Sequence, residues 1–357
     1  MTVKRVAVDL RMVGARPHGI ARYALGIWNG LPALDDIHFT ALCGPEAAPR
    51  VHSLRPGDAL VTARRPFLSP LEQLELPGLL ARAGVDLLHA TSFSVPAFSR
   101  LPLVLTLHDA THLSLPGLAS TAAVLYHRTV VQRAARRAVR VLTVSEFSAA
   151  EINRHYGVPR DRIRVAPDAI DLAPSPHAAP RLPEGVRADR PYLLYVGNGK
   201  PHKNVEILVA AHALLPEAPP LLLCGEGLER FVGPGVHRLN GVADDELTAL
   251  YRGAALFLFP SLMEGFGLPP LEAAACGAPV CLADDSALRE IWAGVAPLLP
   301  PHDAARWAEA IAGLMADSTA RRALAQRCAA LAGQYRSWQP AVDAALSGYR
   351  LGLRLAR

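Results

Sequence analysis

The sequence predicts an α/β protein built as two doubly wound domains. Three observations lead there. The 357 residues exceed what one hydrophobic core of ordinary size organises. Short apolar runs alternate with helix-period stretches almost from end to end, the pattern of parallel sheets covered by helices. A Pro-rich segment without periodicity, residues 172–190, interrupts that alternation, and its composition suits a linker. The expected division is a first domain over 1–173, a linker over 174–190, a second domain over 191–336 and a terminal helix within 337–357.

The elements follow in order. Apolar runs of three to six residues, rich in Val and Leu, mark strands at 5–10, 38–43, 59–62, 87–90, 103–107, 140–144 and 163–165. Between them, 19–31, 119–139 and 146–156 carry helical spacing, and Ser145 and Ser148 offer N-cap oxygens to the last of these. After the linker, strands are expected at 192–196, 220–224, 238–240, 256–259 and 279–282. Helices are expected at 204–214, 244–252, 269–275, 303–316 and 319–334. The tail from 337 to about 353 reads as a helix with Trp338 and Tyr349 on its apolar face.

Composition narrows the function classes. Half the residues are hydrophobic (51%), yet no uninterrupted apolar run is long enough to span a bilayer. The first ten residues enter a buried-strand pattern directly, without signal-peptide architecture, so a cytoplasmic protein is expected. The five cysteines are scattered and none has C-x-x-C spacing, so they read as small core residues. The net charge of +5 suits an acidic ligand or a weak attraction to anionic lipid, and no nucleic-acid motif accompanies it. The stretch 126–140 carries Arg128, Arg133, Arg136, Arg137 and Arg140, which read as a solvated basic face or a peripheral contact with an anionic membrane.

The most informative stretch runs from Phe257 to Cys281 and reads as strand, Gly-punctuated loop, helix, Gly turn, strand. Glu264 and Glu272 bracket the loop-to-helix junction. Backbone N–H groups and the positive end of the helix dipole make such a junction an anion site. A carboxylate one to two turns into the helix can accept hydrogen bonds from a diol. The pair therefore suits the phosphate and ribose of a nucleotide. A hydrolase pair is the other use of two carboxylates. Retaining glycosidases hold theirs about 5 Å apart, whereas eight positions along a helix span about 12 Å. Lys203 follows a strand and a Gly-x-Gly, where a cation can stabilise a leaving diphosphate. His108 closes an apolar strand and should stand at its carboxyl end. Asp284-Asp285 precedes a helical run and reads as a cap rather than a metal motif.

The run Pro260–Val280 closely resembles the signature of family 4 retaining glycosyltransferases, which have the two-domain GT-B fold. Val196-Gly-Asn-Gly-Lys-Pro-His-Lys-Asn204, Leu239–Leu247, Thr143–Ser148, Leu107-His-Asp109 and Gly19-Ile-Ala-Arg-Tyr23 fit in the same order. The resemblance implies two Rossmann-like domains facing across a cleft, with the C-terminal helix crossing back to the first. It implies catalytic roles for Lys203, Glu264 and His108, the last near the O6 of the donor sugar. Glu272 should bind the ribose, and the amides of Gly265, Phe266, Gly267 and Leu268 the sugar and diphosphate. Gly197, Asn198, Lys200 and Val242 complete the donor-binding set. Gly14, His18, Gly19 and Arg22 belong to a loop that closes on the diphosphate and shapes the acceptor site. No cofactor and no metal are implied, the donor being a substrate.

Departures from that signature matter. Asn198 stands where many relatives carry Arg, leaving Lys200 to supply charge, and His202-Lys203 replaces an Arg-Lys pair. Asp168-Ala-Ile-Asp171 replaces a turn that often contains Asn-Gly, so it has no glycine to adopt a positive φ. The expected chemistry is front-face transfer of a hexose, mannose from GDP-mannose as the first expectation, to a glycan or lipid-linked glycan. A UDP-sugar donor is the nearest alternative. A dinucleotide oxidoreductase would need Gly-x-Gly-x-x-Gly after the first strand, and Arg11–Gly19 lacks that spacing. A non-catalytic nucleotide-sugar-binding protein is a third possibility.

Overall fold

The computed structural model describes residues 3–14, 19–97, 99–115, 117, 119–171 and 179–355. It divides into two units, Met1–Ala169 with Ser337–Arg357, and Ile170–Arg336. The expected boundary at 173 and the start of the expected linker lie outside the described residues.

The first unit runs β1 Lys4–Asp9, α1 Gly19–Gly30, β2 Ile37–Cys43, α2 Ala48–Leu54, β3 Ala59–Thr62, α3 Glu72–Arg82 and β4 Leu87–Ala90. It continues with β5 Leu103–Thr106, α4 Thr111–Ser114, α5 Thr121–Tyr126, α6 Gln132–Arg137, β6 Arg140–Thr143, α7 Glu146–Tyr156 and β7 Ile163–Val165. The strands form one sheet in the order β3-β2-β1-β4-β5-β6-β7, and all its pairings are parallel. Successive residues of a strand face opposite sides. In β1, Val6 and Val8 meet the α1 residues Ala24 and Trp28. Ala7 faces the other layer, with Leu76 and Leu80 of α3, Ala134 of α6 and Ile152 of α7.

The second unit runs β8 Leu193–Val196, α8 Val205–Ala213, β9 Leu221–Cys224, β10 Val236–Leu239, α9 Asp244–Gly253, β11 Leu256–Phe259 and α10 Leu268–Ala275. It continues with β12 Val280–Ala283, α11 Ser286–Trp292, β13 Leu298–Leu299, α12 Ala304–Ala316 and α13 Ser318–Ala332. Its sheet is β10-β9-β8-β11-β12-β13, again parallel throughout. In each sheet the order reverses beside the unit's first strand, between β1 and β4 and between β8 and β11. Ligands bind outside the strand carboxyl ends at such switch points.

The last helix, α14 Gln339–Leu355, belongs to the first unit and packs on α1, β4, β5 and β6. Its approach is close. A Cβ on Gly26 of α1 would lie 2.3 Å from the Trp338 ring, and only the missing side chain lets that ring in. Tyr349 is fully buried under the sheet, where its hydroxyl meets His89 Nδ1 at 2.7 Å.

Where an element was expected and found, its ends agree within two residues, with one exception. The helix expected over 119–139 is three pieces. A π-helical turn, His127–Val131, separates α5 from α6. The extra residue of a π turn rotates the helix beyond it, and buried His127 stays inward, with Nδ1 2.7 Å from Tyr156 Oη. Of the expected basic face, Arg128, Arg133, Arg136 and Arg137 line one concave surface. Arg128, Arg133 and Arg136 are exposed, and Arg136 donates to Tyr156 O at 2.8 Å. Arg140 lies on β6 rather than on a helix and donates to Asp161 O at 2.7 Å. Helices α2, α3 and α4 were not expected, whereas the helical run expected after Asp285 is α11. Pro77-Gly78 inside α3 reads as a turn, yet Leu76 and Leu80 bury the helix against the sheet.

Candidate active site

Two groups of predicted residues assemble, one in each unit. In the second unit, β8 ends at Val196 and Gly197 opens a tight loop. Tyr195 Oη donates to Asn198 O at 2.9 Å, and Asn198 Oδ1 accepts the Lys200 N–H at 3.2 Å. The loop packs backbone to backbone against the one after β9, where a Cβ on Gly225 would lie 2.0 Å from Gly197 O. Asn198 and Lys200 are exposed, and Val242, after β10, is half-buried. Arg230, which the sequence pattern does not single out, donates to Gly199 O at 2.9 Å and so adds a second cation beside Lys200.

A 3₁₀ turn, Pro201–Lys203, leads to Asn204, which sits in the left-handed region at φ 54. That backbone is held by its buried side-chain amide, which donates to Pro301 O at 2.7 Å and Pro260 O at 3.3 Å. The Leu262 N–H also bonds to His202 O at 2.8 Å. These bonds fix Lys203 against the end of β11. Its Nζ lies 2.5 Å from Glu264 Oε1, with both side chains about 85% covered (15% and 14% exposed). The same ammonium stands 5.5 Å over the Phe259 ring.

The Glu264 N–H is held by Ser286 Oγ at 3.0 Å. Gly267 is the N-cap of α10 at φ 91, a conformation that suits glycine. Pro269 and Pro270 come next and carry no N–H, so the donors at this junction are the amides of Gly265, Phe266, Gly267 and Leu268. Phe266 is buried and meets Tyr335 edge-on at 5.4 Å. One turn further, Glu272 is 5% exposed, and Tyr251 of α9 donates to its Oε2 at 3.1 Å. Burial, and then the Glu272 charge, push the Tyr251 phenol well above its ordinary range, so it stays a donor. In the sequence Tyr251 is legible only as part of a helix.

In the first unit, His108 lies just past β5. Its Nε2 is 3.3 Å from Thr91 O, and Ser148 Oγ donates to its carbonyl at 2.9 Å. Tyr23 of α1 meets the imidazole edge-on at 4.7 Å. The Tyr23 hydroxyl is 3.0 Å from Thr106 Oγ1, which is 2.9 Å from His89 Nε2. This buried chain ends at Tyr349 of α14. Burial, then His108, lower the His89 pKa to about 3. Gly14 is half-buried, Gly19 opens α1 and Arg22 lies one turn in, while His18 falls outside the described residues. The turn at 168–171 needs no positive φ. Asp168 in it is 6% exposed, its Oδ1 has no hydrogen-bond partner, and burial raises its pKa to about 7. Asp285 takes the N-cap position of α11 without a side-chain cap bond. Asp284 instead pairs with Arg289 at 2.6 Å.

Two parallel sheets of seven and six strands, each presenting these residues beyond its strand ends, define the GT-B fold. Residues 17–174 match the model of Glycosyltransferase Family 4, and residues 181–330 match that of glycosyl transferases group 1. The chain belongs to glycosyltransferase family 4. It is 31% identical over 284 residues to O-antigen chain mannosyltransferase B of Escherichia coli, which covers 74% of each chain. A D-inositol 3-phosphate glycosyltransferase of Pseudarthrobacter chlorophenolicus is 35% identical over 234 residues, 59% of this chain and 56% of that one. Among solved structures, Anabaena HepE in complex with UDP and glucose superposes with a TM-score of 0.75 at 20% identity, covering 97% and 99%. WaaG, a glycosyltransferase involved in lipopolysaccharide biosynthesis, gives 0.69 at 19%, covering 96% and 99%.

Proposed function

We propose that this enzyme is a retaining, metal-independent mannosyltransferase that uses GDP-mannose to extend a glycan or lipid-linked glycan. The observation that carries the donor grip is the Lys203–Glu264 pair at the mouth of the amide-rich junction before α10. Mannose as the sugar is supported by the likeness to an O-antigen mannosyltransferase over three quarters of both chains.

In this reading Glu272, oriented by Tyr251, accepts from the ribose diol. The diphosphate lies against the amides of residues 265–268, within reach of Lys203. A bound diphosphate competes for the ammonium, and Glu264 turns its freed oxygen to the sugar hydroxyls. The acceptor oxygen bonds to the anomeric carbon on the face from which the diphosphate departs. As the carbon–phosphate-oxygen bond breaks, its electron pair goes to the leaving diphosphate. An oxygen of that group takes the acceptor's proton. Lys203 and the amides stabilise the growing charge without reorganising, and the anomeric configuration is retained. His108, held by Tyr23 and Thr91, hydrogen-bonds the sugar. Arg128 and Arg133, beside exposed Leu125, favour a peripheral contact with anionic lipid at the cytoplasmic face.

A thermal-shift panel of GDP, UDP, ADP and TDP, then of their sugars, tests the donor. A nucleotide at one hundred times its dissociation constant stabilises by about 2.7 kcal/mol. GDP should lead the panel, and equal shifts with UDP would remove the donor assignment. Acceptor-dependent release of free nucleotide separates transfer from mere binding.

A further inference from the structure

The corner from β12 into α11 reads Ala283-Asp-Asp-Ser-Ala287, with no glycine at the turn. Ser286 takes the left-handed backbone there, at φ 48. Serine adopts that region rarely, asparagine and aspartate several-fold more often. Among the described residues three that are not glycine have positive φ, and two of them, Asn204 and Ser286, border the Lys203–Glu264 pair. Backbone of this kind persists where its surroundings over-determine it, and it gathers at functional sites.

Ser286 is anchored on both sides. Before it, the Asp284 N–H donates to Leu299 O at 2.8 Å, continuing the β12–β13 ladder. The Asp284 carboxylate accepts from Arg289 Nε at 2.6 Å, and its carbonyl accepts from Arg289 Nη2 at 2.9 Å. After it, Ala287 and Leu288 are fully buried. Leu288 also packs on the loop before α10, where a Cβ on Gly267 would lie 2.8 Å from its Cδ2. Between these anchors the half-buried Ser286 accepts the Glu264 N–H on its Oγ at 3.0 Å, across 22 residues of sequence. That bond takes the Glu264 amide out of the set that can face an anion. It leaves the Glu264 side chain to move about a fixed backbone.

We propose that Ser286 is a positioning residue for Glu264. Its hydroxyl fixes the backbone from which the carboxylate reaches Lys203 and then the hydroxyls of a bound sugar, and the unfavourable φ brings that hydroxyl within range. The proposal deepens the donor reading and rests on it for the sugar. A residue that only closed a turn would move stability and binding together, whereas a positioning residue separates them. Calorimetric titration of the intact protein with GDP, GDP-mannose, UDP and UDP-glucose reads the sugar's share as the ratio of nucleotide-sugar to nucleotide affinity. Ser286→Gly and Ser286→Ala should leave nucleotide affinity unchanged and bind the nucleotide sugar roughly tenfold more weakly. Ser286→Gly takes this φ freely and should melt higher than Ser286→Ala. Ser286→Thr keeps the hydroxyl but sets a branched Cβ at positive φ, so it should melt below Ser286→Gly and yet bind the nucleotide sugar as wild type does. Added to Glu264→Gln, Ser286→Gly should cost no further affinity. Wild-type affinity for the nucleotide sugar in Ser286→Gly, an equal loss of the bare nucleotide, or a Ser286→Thr variant as weak as Ser286→Ala overturns the proposal. A wild-type protein that binds none of the four ligands sinks the donor reading, and the proposal falls with it.

Discussion

Lys203 Nζ and Glu264 Oε1 lie 2.5 Å apart across 61 residues of sequence. The cation expected to hold the leaving group is therefore neutralised and aimed by a carboxylate expected to hold the sugar. Because both side chains are mostly covered, removing one partner leaves the other charge poorly solvated. Lys203→Ala should lower kcat by about 10²–10³-fold, the range for loss of one preorganised donor. Lys203→Met/Glu264→Gln should melt higher than either single variant, as scanning calorimetry can read. Additive losses would mean the pair is not coupled.

Tyr251 and Glu272 give a subtler test. Tyr251→Phe keeps the buried ring and deletes one bond to a carboxylate, worth about 1.5–3 kcal/mol. Donor affinity should fall roughly tenfold or more with kcat at saturation little changed. An unaltered dissociation constant would separate Tyr251 from the ribose contact proposed for Glu272.

Asp168 and His89 predict opposing pH effects on stability. Asp168 is raised to about 7, so the native state holds a proton that the unfolded state has released above about 4. Its contribution is complete below that point and is lost as pH rises through 7. His89 is lowered to about 3, so the unfolded state binds the extra proton below about 6.5. Its contribution is complete above 6.5 and is lost as pH falls toward 3. Asp168→Asn should stabilise the protein at pH 8 by about 1–4 kcal/mol and leave it steeply acid-sensitive. Melting temperature against pH reads both, and a variant no more stable at pH 8 would contradict the first.

The C-terminal helix is tied to the sheet through His89. Tyr349→Phe leaves buried His89 Nδ1 without its partner and should destabilise by about 1–3 kcal/mol. Hydrogen exchange should speed up along α14 first. Uniform protection would place the effect elsewhere.

Much of this was legible in the sequence because strand signals here are local. Val6, Ala7 and Val8 announce a strand buried on both faces, and Ser145 announces a cap that the Ser148 N–H fills at 3.0 Å. The residues proposed for the donor grip stood out for the same reason, since Lys203, Glu264 and Glu272 each belong to a strand–loop–helix junction. The hidden features are nonlocal. Pro77 masked α3, whose Leu76 and Leu80 are held by the sheet rather than by propensity. Tyr251 has the spacing of a core residue, and only packing brings its hydroxyl to Glu272. Arg230 sits in an irregular turn with no pattern to mark it. The π turn at His127–Val131 carries a His whose partner is Tyr156, 29 residues on.

The central claim is that a nucleotide sugar is gripped by Lys203 and by the segment from Glu264 to Glu272. Titrating GDP-mannose into wild type, Glu272→Ala and Tyr251→Phe tests it most directly. The account predicts tight binding to wild type, at least tenfold weaker binding to Glu272→Ala, and an intermediate constant for Tyr251→Phe. Equal affinity across all three would contradict it.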